Sequence, residues 1–486
     1  MQQLLLDGDE VDEIEPDDGA THGSIGAVML LVAAPAALVA ARPLSDNSFL
    51  THLATGRLIL DSGVPSENPF LFTGTGFPVP SWWWSILLGV VEELGGATAL
   101  RLLTAVVAGV LGALLVRLAR PEGGVGGARL VATVLPAVLA LVCVLPFLSG
   151  RPHLAGFVLL ATTLLVWREQ RSAWWLVPLF AVWVNVHGSW LYGIAVLGLL
   201  GVAHAIDERR LERRDPLCVL AAVGGAVLGG ALYPRAFEIV LLPTRQFGDP
   251  VEREALGAYR EWSRVGWDQP VLWALLVLGA VALVGAVRRR RWGDTFAVVV
   301  LVLLGWSGGR LVPIAAVTLV PFAAVALREV GTLALPSGRA ARASVAAAGA
   351  IVVATLVYVV VTPDYDLERY PVGAVDWLEQ RGLVGEGARV VTHDDVGNYL
   401  EWRYGTEANA YVDDRPDAAT LLQYRDLLLV EPGWQDELAS IEPDVVLWRA
   451  ESALSDELGE PTGWHRAAEV GDYVVFCREA LRARCA

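Results

Sequence analysis

The sequence predicts a polytopic α-helical membrane protein with about eleven spanning helices, each needing ~17 to 25 residues, and a C-terminal α/β domain outside the membrane. Three observations predict it. Of 486 residues, 54% are hydrophobic and 19% charged, and the mean hydropathy is +0.48, which is more apolar surface than one soluble core of this length can hide. Apolar runs follow one another between residues 23 and 362. From residue 363 the pattern changes to short apolar strands alternating with amphipathic helices.

Residues 1–22 hold eight acidic groups and no basic one. They read as a disordered cytoplasmic tail; a cleavable signal would want a basic start. The run from Gly23 to Ala41 is the first spanning helix, and others are expected near 97–116, 130–148, 152–167, 173–186, 188–205, 216–232, 271–287, 294–307, 311–327 and 343–362. All 37 basic residues are Arg, which with the excess of Ala, Val, Leu and Gly points to a GC-rich genome. They collect in alternate loops: Arg117, Arg120 and Arg129; Arg168 and Arg171; Arg209, Arg210, Arg213 and Arg214; Arg288 to Arg291; Arg328, Arg339 and Arg342. Short cytoplasmic loops are the positive ones, so the N-terminus is expected inside the plasma membrane and residues 363–486 outside.

This threading leaves two long external loops, 42–96 and 233–270, and brings Asp46, His52, Arg57, Arg151, His153, Asn185, His187, Arg235, Glu261 and Arg310 to one membrane face. A charge at hydrocarbon depth costs ~2.5 to 3.5 kcal/mol. So many at one level point to a shared polar cavity; the alternative is that each sits in interfacial water. Loop 42–96 contains an amphipathic stretch from His52 to Leu60, then a turn-rich stretch. Trp82, Trp83 and Trp84, expected at the lipid headgroups, lead an apolar stretch that Gly95 and Gly96 break.

Several functions are excluded. Residues 363–486 carry 26 acidic groups against 11 Arg, so neither soluble part offers the basic surface that nucleic acid requires. There is no His/Cys zinc spacing, no Gly-rich nucleotide loop and no Gly-x-Ser-x-Gly elbow. Cys143 and Cys218 lie in apolar runs; Cys477 and Cys485 are either a pair or two free thiols, and no spacing signature decides.

Residues Asp46-Asn47-Ser48-Phe49-Leu50-Thr51-His52-Leu53-Ala54-Thr55-Gly56-Arg57, followed by Gly63-Val64-Pro65-Ser66-Glu67-Asn68-Pro69-Phe70-Leu71-Phe72-Thr73 and Trp84, resemble the first external loop of bacterial membrane proteins of the GT-C glycosyltransferase superfamily. Gly150-Arg151-Pro152-His153-Leu154, Trp183-Val184-Asn185-Val186-His187-Gly188, Glu261-Trp262 and Gly309-Arg310 extend the resemblance across most of the membrane part. Relatives include protein O-mannosyltransferases, the lipid A aminoarabinose transferase and the oligosaccharyltransferase catalytic subunit. The resemblance implies a GT-C-like domain over 23–362, a polyprenyl-phosphate-linked sugar as donor, and a glycan, lipid or protein acceptor at the outer face. In that superfamily an acidic residue early in this loop is the base or anchors metal and phosphate, and Asp46 matches it. Ser48 and Asn68 stand where relatives tend to carry Asp, and Trp82 and Trp83 where they carry His-Glu or similar. These departures weigh against a bound Mg²⁺ or Mn²⁺, for which Asp46 is the one candidate ligand.

Displacing a polyprenyl phosphate from an anomeric carbon needs a base for the acceptor hydroxyl and positive charge for the leaving phosphate. Asp46 is the expected base, a role worth ~100- to 10,000-fold, with His52 orienting it; the plainer role is to cap the helix that follows. Arg310, after Gly308-Gly309, has the planar fork that matches phosphate oxygens, and Arg151 and His153 are second choices. Asn185, His187 and Glu261 are candidates for sugar or acceptor contacts. In the C-terminal domain, Arg389-Val390-Val391-Thr392, Ala410-Tyr411-Val412, Val445-Val446-Leu447-Trp448 and Tyr473-Val474-Val475-Phe476 read as strands of a largely parallel sheet. The segment His393 to Leu400 follows the first strand, where α/β proteins bind ligands. Asp395 and Tyr399 are therefore acceptor candidates, and Asp413-Asp414-Arg415 is expected at the same edge. The competing reading is a non-catalytic GT-C-fold scaffold or lipid-carrier-binding subunit of cell-envelope glycan assembly. A secondary transporter would show paired broken helices in two related halves, and no such repeat is present.

Overall fold

The computed structural model describes residues 18–486 apart from 75, 77, 121–128, 243–263, 329–332, 386, 416–417 and 460–461. Most of the acidic tail and the middle of loop 233–270, Glu261 included, lie outside the described residues.

Each apolar run is helical: α1 Asp18–Ala40, α3 Trp82–Ala119, α4 Leu130–Val144, α5 Pro152–Arg168, α6 Leu176–Val186, α7 Trp190–Glu208, α8 Arg214–Gly230, α9 Pro270–Arg288, α10 Trp292–Ser307, α11 Val312–Leu327 and α12 Gly338–Val361, with α2, Asn47–Ser62, in the loop after α1. Six of the described helices are long and apolar enough to cross a membrane, and four more are apolar but shorter. The bundle perimeter is itself apolar; Val360 on α12 is 78% exposed and Leu220 on α8 is 67% exposed. Surfaces of that kind need lipid against them. The chain is a polytopic helical membrane protein.

Two features fix the end of the bundle where α1 and α12 finish. Arg101 of α3 is fully buried and donates to the carbonyl oxygens of Ala41 (3.0 Å) and Val359 (2.9 Å) and to Thr362 Oγ1 (2.7 Å), so its charge sits on the negative ends of two helix dipoles. Two of the three tryptophans, Trp82 and Trp84, are interior fasteners, which corrects their expected headgroup placement. Trp84, 4% exposed, donates to Gly150 O at 2.8 Å, and Trp82 donates to Asn185 Oδ1 at 2.7 Å. The helix they lead packs so closely on α2 that a side chain on Gly56 would meet Ser85 O at 2.0 Å.

The C-terminal domain carries a mixed four-stranded sheet in the order β1-β2-β4-β3, with β1 Val390–Val391, β2 Val445–Arg449, β3 Trp464–Val470 and β4 Tyr473–Arg478. Only β1 and β2 are parallel, which corrects the largely parallel expectation. The reason is the hairpin of β3 and β4 around Gly471-Asp472, where Gly471 takes φ +58, a two-residue connection that favours antiparallel strands. Ala410 forms bridges instead of a strand, and it joins the domain to the external loop. Phe72 N donates to Ala410 O at 3.1 Å and Ala410 N to Phe70 O at 3.2 Å, while Tyr411 N reaches Val390 O at 2.9 Å. Phe49, Leu50 and Leu53 of α2 share one hydrophobic core with Tyr399, Leu400 and Val475 of the domain. Cys477 and Cys485 form a disulfide; Cys143 and Cys218 are free and buried.

Gly56→Ala is expected to destabilise the protein by ~1 to 3 kcal/mol through overpacking, read as a lower Tm in detergent. Gly198→Ala, with open space at its Cβ, should leave Tm unchanged.

Candidate active site

Helix α2 begins where the chain leaves α1, and Asp46 is its N-cap: the carboxylate accepts from Phe49 N at 3.1 Å. Arg151 precedes Pro152 at the start of α5, and its Nε pairs with the same Asp46 oxygen. The expected base and one of the expected phosphate ligands therefore meet, both largely buried. Beside them lies a cavity of about 170 Å³ walled by Arg42, Ser45, Asp46, Ser149 and Arg369. Ser149 Oγ is buried and lacks a hydrogen-bond partner.

A second group stands at the starts of α5, α7 and α11. The rings of His153 and His187 are 4.2 Å apart, and Arg310 interacts electrostatically with both and with Tyr192. His187 Nδ1 accepts from Ser189 N at 3.1 Å and lies 2.7 Å from Ser189 Oγ, which makes Nε2 the proton-bearing nitrogen. His153 Nδ1 is buried and lacks a hydrogen-bond partner.

Three sequence expectations are corrected here. Asn185 is fully buried and spends its amide on Trp82, Ala181 O (2.8 Å) and Gly229 O (3.0 Å), so it presents no exposed atom to a sugar. His52 turns its Nδ1 to Ser85 Oγ at 3.0 Å and does not orient Asp46. Tyr399, 1% exposed, stacks on Tyr370 and accepts from Arg403; it is a core residue. Asp395 is more accessible, with Arg369 at 3.8 Å and Arg449 at 4.0 Å.

The domain supplies what sequence reasoning largely missed. Asp413, Asp414 and Arg415 follow the bridge at Ala410 and face α2, together with Glu401 of the helix α13, Asp394–Tyr404. Arg415 Nη2 lies 2.8 Å from both Glu401 and Asp413, and its Nη1 donates to Thr55 Oγ1 of α2 at 2.7 Å. Asn68 donates to Asp413 Oδ2 at 3.1 Å, and Ser48 donates to Asp414 Oδ2. The two positions where the GT-C pattern expects acidic residues are thus hydrogen-bonded to carboxylates from the C-terminal domain. Burial pushes Glu401 well above the usual carboxylate range, with Arg415 opposing. Burial also raises Asp413, but Arg415's charge together with hydrogen bonds from Glu401 and from Arg415's backbone and side chain outweigh it and hold the group low. Asp414 is raised by burial and by Asp413. The segment 413–415 was legible only as chain following a strand; nothing local signals its docking on α2.

His52 joins these groups, interacting with Arg415, His187 and Arg151. Burial, then those three charges, lower its pKa from 6.5 to about 3. As to a divalent ion, no three His, Cys, Asp or Glu side chains gather to hold one among the described residues, and Asp46 is committed to Arg151 and Phe49 N. These residues do not form a metal-ligand set.

No protein-family model matches the chain, and no curated protein matches it in sequence. Solved structures match it in shape. The oligosaccharyltransferase AglB of Archaeoglobus fulgidus, solved with an inhibitory peptide and a dolichol-phosphate, superposes with a TM-score of 0.53 at 12% identity, over 88% of this chain and 69% of that one. The apo crystal structure of the Archaeoglobus fulgidus oligosaccharyltransferase gives 0.54 at 13% identity, over 87% and 69%. The chain shares its overall fold with these oligosaccharyltransferases. The GT-C resemblance read from the external loop and the fold of the whole chain therefore agree.

Two outcomes are expected. Arg415→Met leaves Asp413 and Glu401 buried without their cation, which should cost ~3 to 5 kcal/mol and expose the junction of loop 42–96 with the domain to limited proteolysis. His52, neutral when folded, binds fewer protons than the unfolded chain between its ordinary 6.5 and about 3. Its contribution is complete above pH 6.5 and drains as pH falls, by at most ~1.4 kcal/mol per pH unit. His52→Gln should flatten that part of the Tm-against-pH curve.

Proposed function

We propose that the chain is a GT-C-type glycosyltransferase that moves a sugar from a polyprenyl-phosphate-linked donor to a glycan, lipid or protein acceptor on the outer face of the plasma membrane. The observation that carries this reading is the meeting of Asp46 with Arg151 beside a polar cavity, with His153, His187 and Arg310 grouped nearby, on a fold shared with an enzyme solved with a dolichol-phosphate. The acceptor oxygen forms its bond to the anomeric carbon while its proton passes to the Asp46 carboxylate. The bond from that carbon to the phosphate oxygen breaks, and its electron pair leaves on the polyprenyl phosphate, whose charge Arg310 and Arg151 meet. Arg151 pairs with Asp46 before the donor arrives and with phosphate afterwards, so donor binding itself frees the base.

Outer-face transfer is supported by charge and by sulfur. The eleven crossings read from the sequence support a threading with the Arg-rich turns inside and the C-terminal domain outside, and the Cys477–Cys485 disulfide suits an oxidising compartment. The second reading, a non-catalytic carrier-binding scaffold, is favoured by one observation: Asp46 is engaged by Arg151 and by the α2 cap.

The purified full chain, supplied with a polyprenyl-phosphate sugar, separates these readings. Asp46→Asn should lose turnover by about 100-fold or more while retaining the donor in native mass spectrometry, and Arg310→Ala should lose the donor adduct. Wild-type turnover in the Asn variant would remove Asp46 from the mechanism. No carrier bound even in excess would overturn the transferase reading.

A further inference from the structure

At the end of the bundle away from Asp46, the last turns of α5, α7 and α11 and the turn between α9 and α10 enclose a cavity of about 450 Å³. Its lining includes four guanidinium groups, Arg168, Arg289, Arg291 and Arg328, against one carboxylate, Asp294. Arg291 is matched by Asp207 (3.1 Å), Glu208 (2.9 Å) and Asp294 (3.5 Å), and His204 by Asp215 (2.9 Å). Arg168 donates to the carbonyl oxygens of Leu118 and Arg120. Two donors remain. Trp167 Nε1 is buried and has no acceptor, and the exposed Arg289 side chain makes no hydrogen bond among the described residues. Beneath them the wall is hydrocarbon from Leu164, Leu200 and Phe322.

A surface of donors above an apolar floor is complementary to an amphiphile whose head is anionic and only accepts hydrogen bonds. The cavity lies at the ends of membrane-length helices, the depth at which lipid head groups sit, and basic pockets between such helices take anionic head groups. We propose that this cavity binds an anionic phospholipid of the adjoining leaflet, its phosphate on Arg289 and Trp167 Nε1 and its chains along Leu164, Leu200 and Phe322. The site is separate from the transfer site and does not depend on the reading given to it.

The test uses the full chain, delipidated in mild detergent and titrated in parallel with phosphatidylglycerol, phosphatidylcholine and inorganic phosphate under native mass spectrometry. Saturable phosphatidylglycerol adducts are expected, weakened about fivefold to tenfold by Arg289→Gln or Trp167→Phe and unchanged by Arg209→Gln, an exposed Arg outside the cavity. Equal adducts with phosphatidylcholine, or equal losses in the Arg289 and Arg209 variants, would overturn the proposal. Saturation by inorganic phosphate in place of the lipid would assign the cavity to a soluble phosphate and overturn it too.

Discussion

The Arg415 guanidinium, held between Glu401, Asp413 and Thr55, lets a membrane bundle and a water-facing domain share one site. A cation taken from water costs several kcal/mol unless carboxylates and hydroxyls replace the lost hydration. Here the replacements come from both sides of the junction, so the knot is complete only when the domain is docked on α2. The remaining contacts align with it: the backbone bridge through Ala410, the shared core of Phe49 and Leu400, and the bonds from Ser48 and Asn68 to the two aspartates.

That docking explains how a loop depleted in acidic residues still faces an acidic surface. Ser48 and Asn68 are short donors, and each is answered by a carboxylate hundreds of residues later in the chain. The local charge is thus redistributed: Asp46 pairs with Arg151 inside the membrane domain, while Asp413 and Asp414 belong to the domain above it. A chain that places its carboxylates on two bodies makes the geometry of the site depend on their contact.

What could be read from sequence follows the range of the forces involved. Hydropathy acts over a single helix, so the apolar runs were legible, as were the break at Gly95-Gly96, where the backbone of α3 leaves helical geometry, and polar residues at helix starts such as Arg151, His153 and Arg310. Partners distant in sequence were not. Asn185 looked available because Trp82, which donates to its Oδ1, lies 103 positions away, and Tyr399 looked like a ligand residue because Tyr370 and Arg403 do not advertise a core. The β3–β4 hairpin had a local signal in Gly471-Asp472, and it is the one strand error that turn chemistry alone would have prevented. The Arg415 knot had none.

The proposed transfer depends above all on the carrier phosphate binding beside Asp46, between Arg151 and Arg310. A cryo-electron microscopy structure of the full chain with a non-hydrolysable polyprenyl-phosphate sugar tests that claim most directly. Phosphate density within hydrogen-bond reach of the Arg310 and Arg151 guanidiniums, with Arg151 turned from Asp46 toward it, is the predicted result. A phosphate seated elsewhere, with the Asp46–Arg151 pair intact, would contradict it.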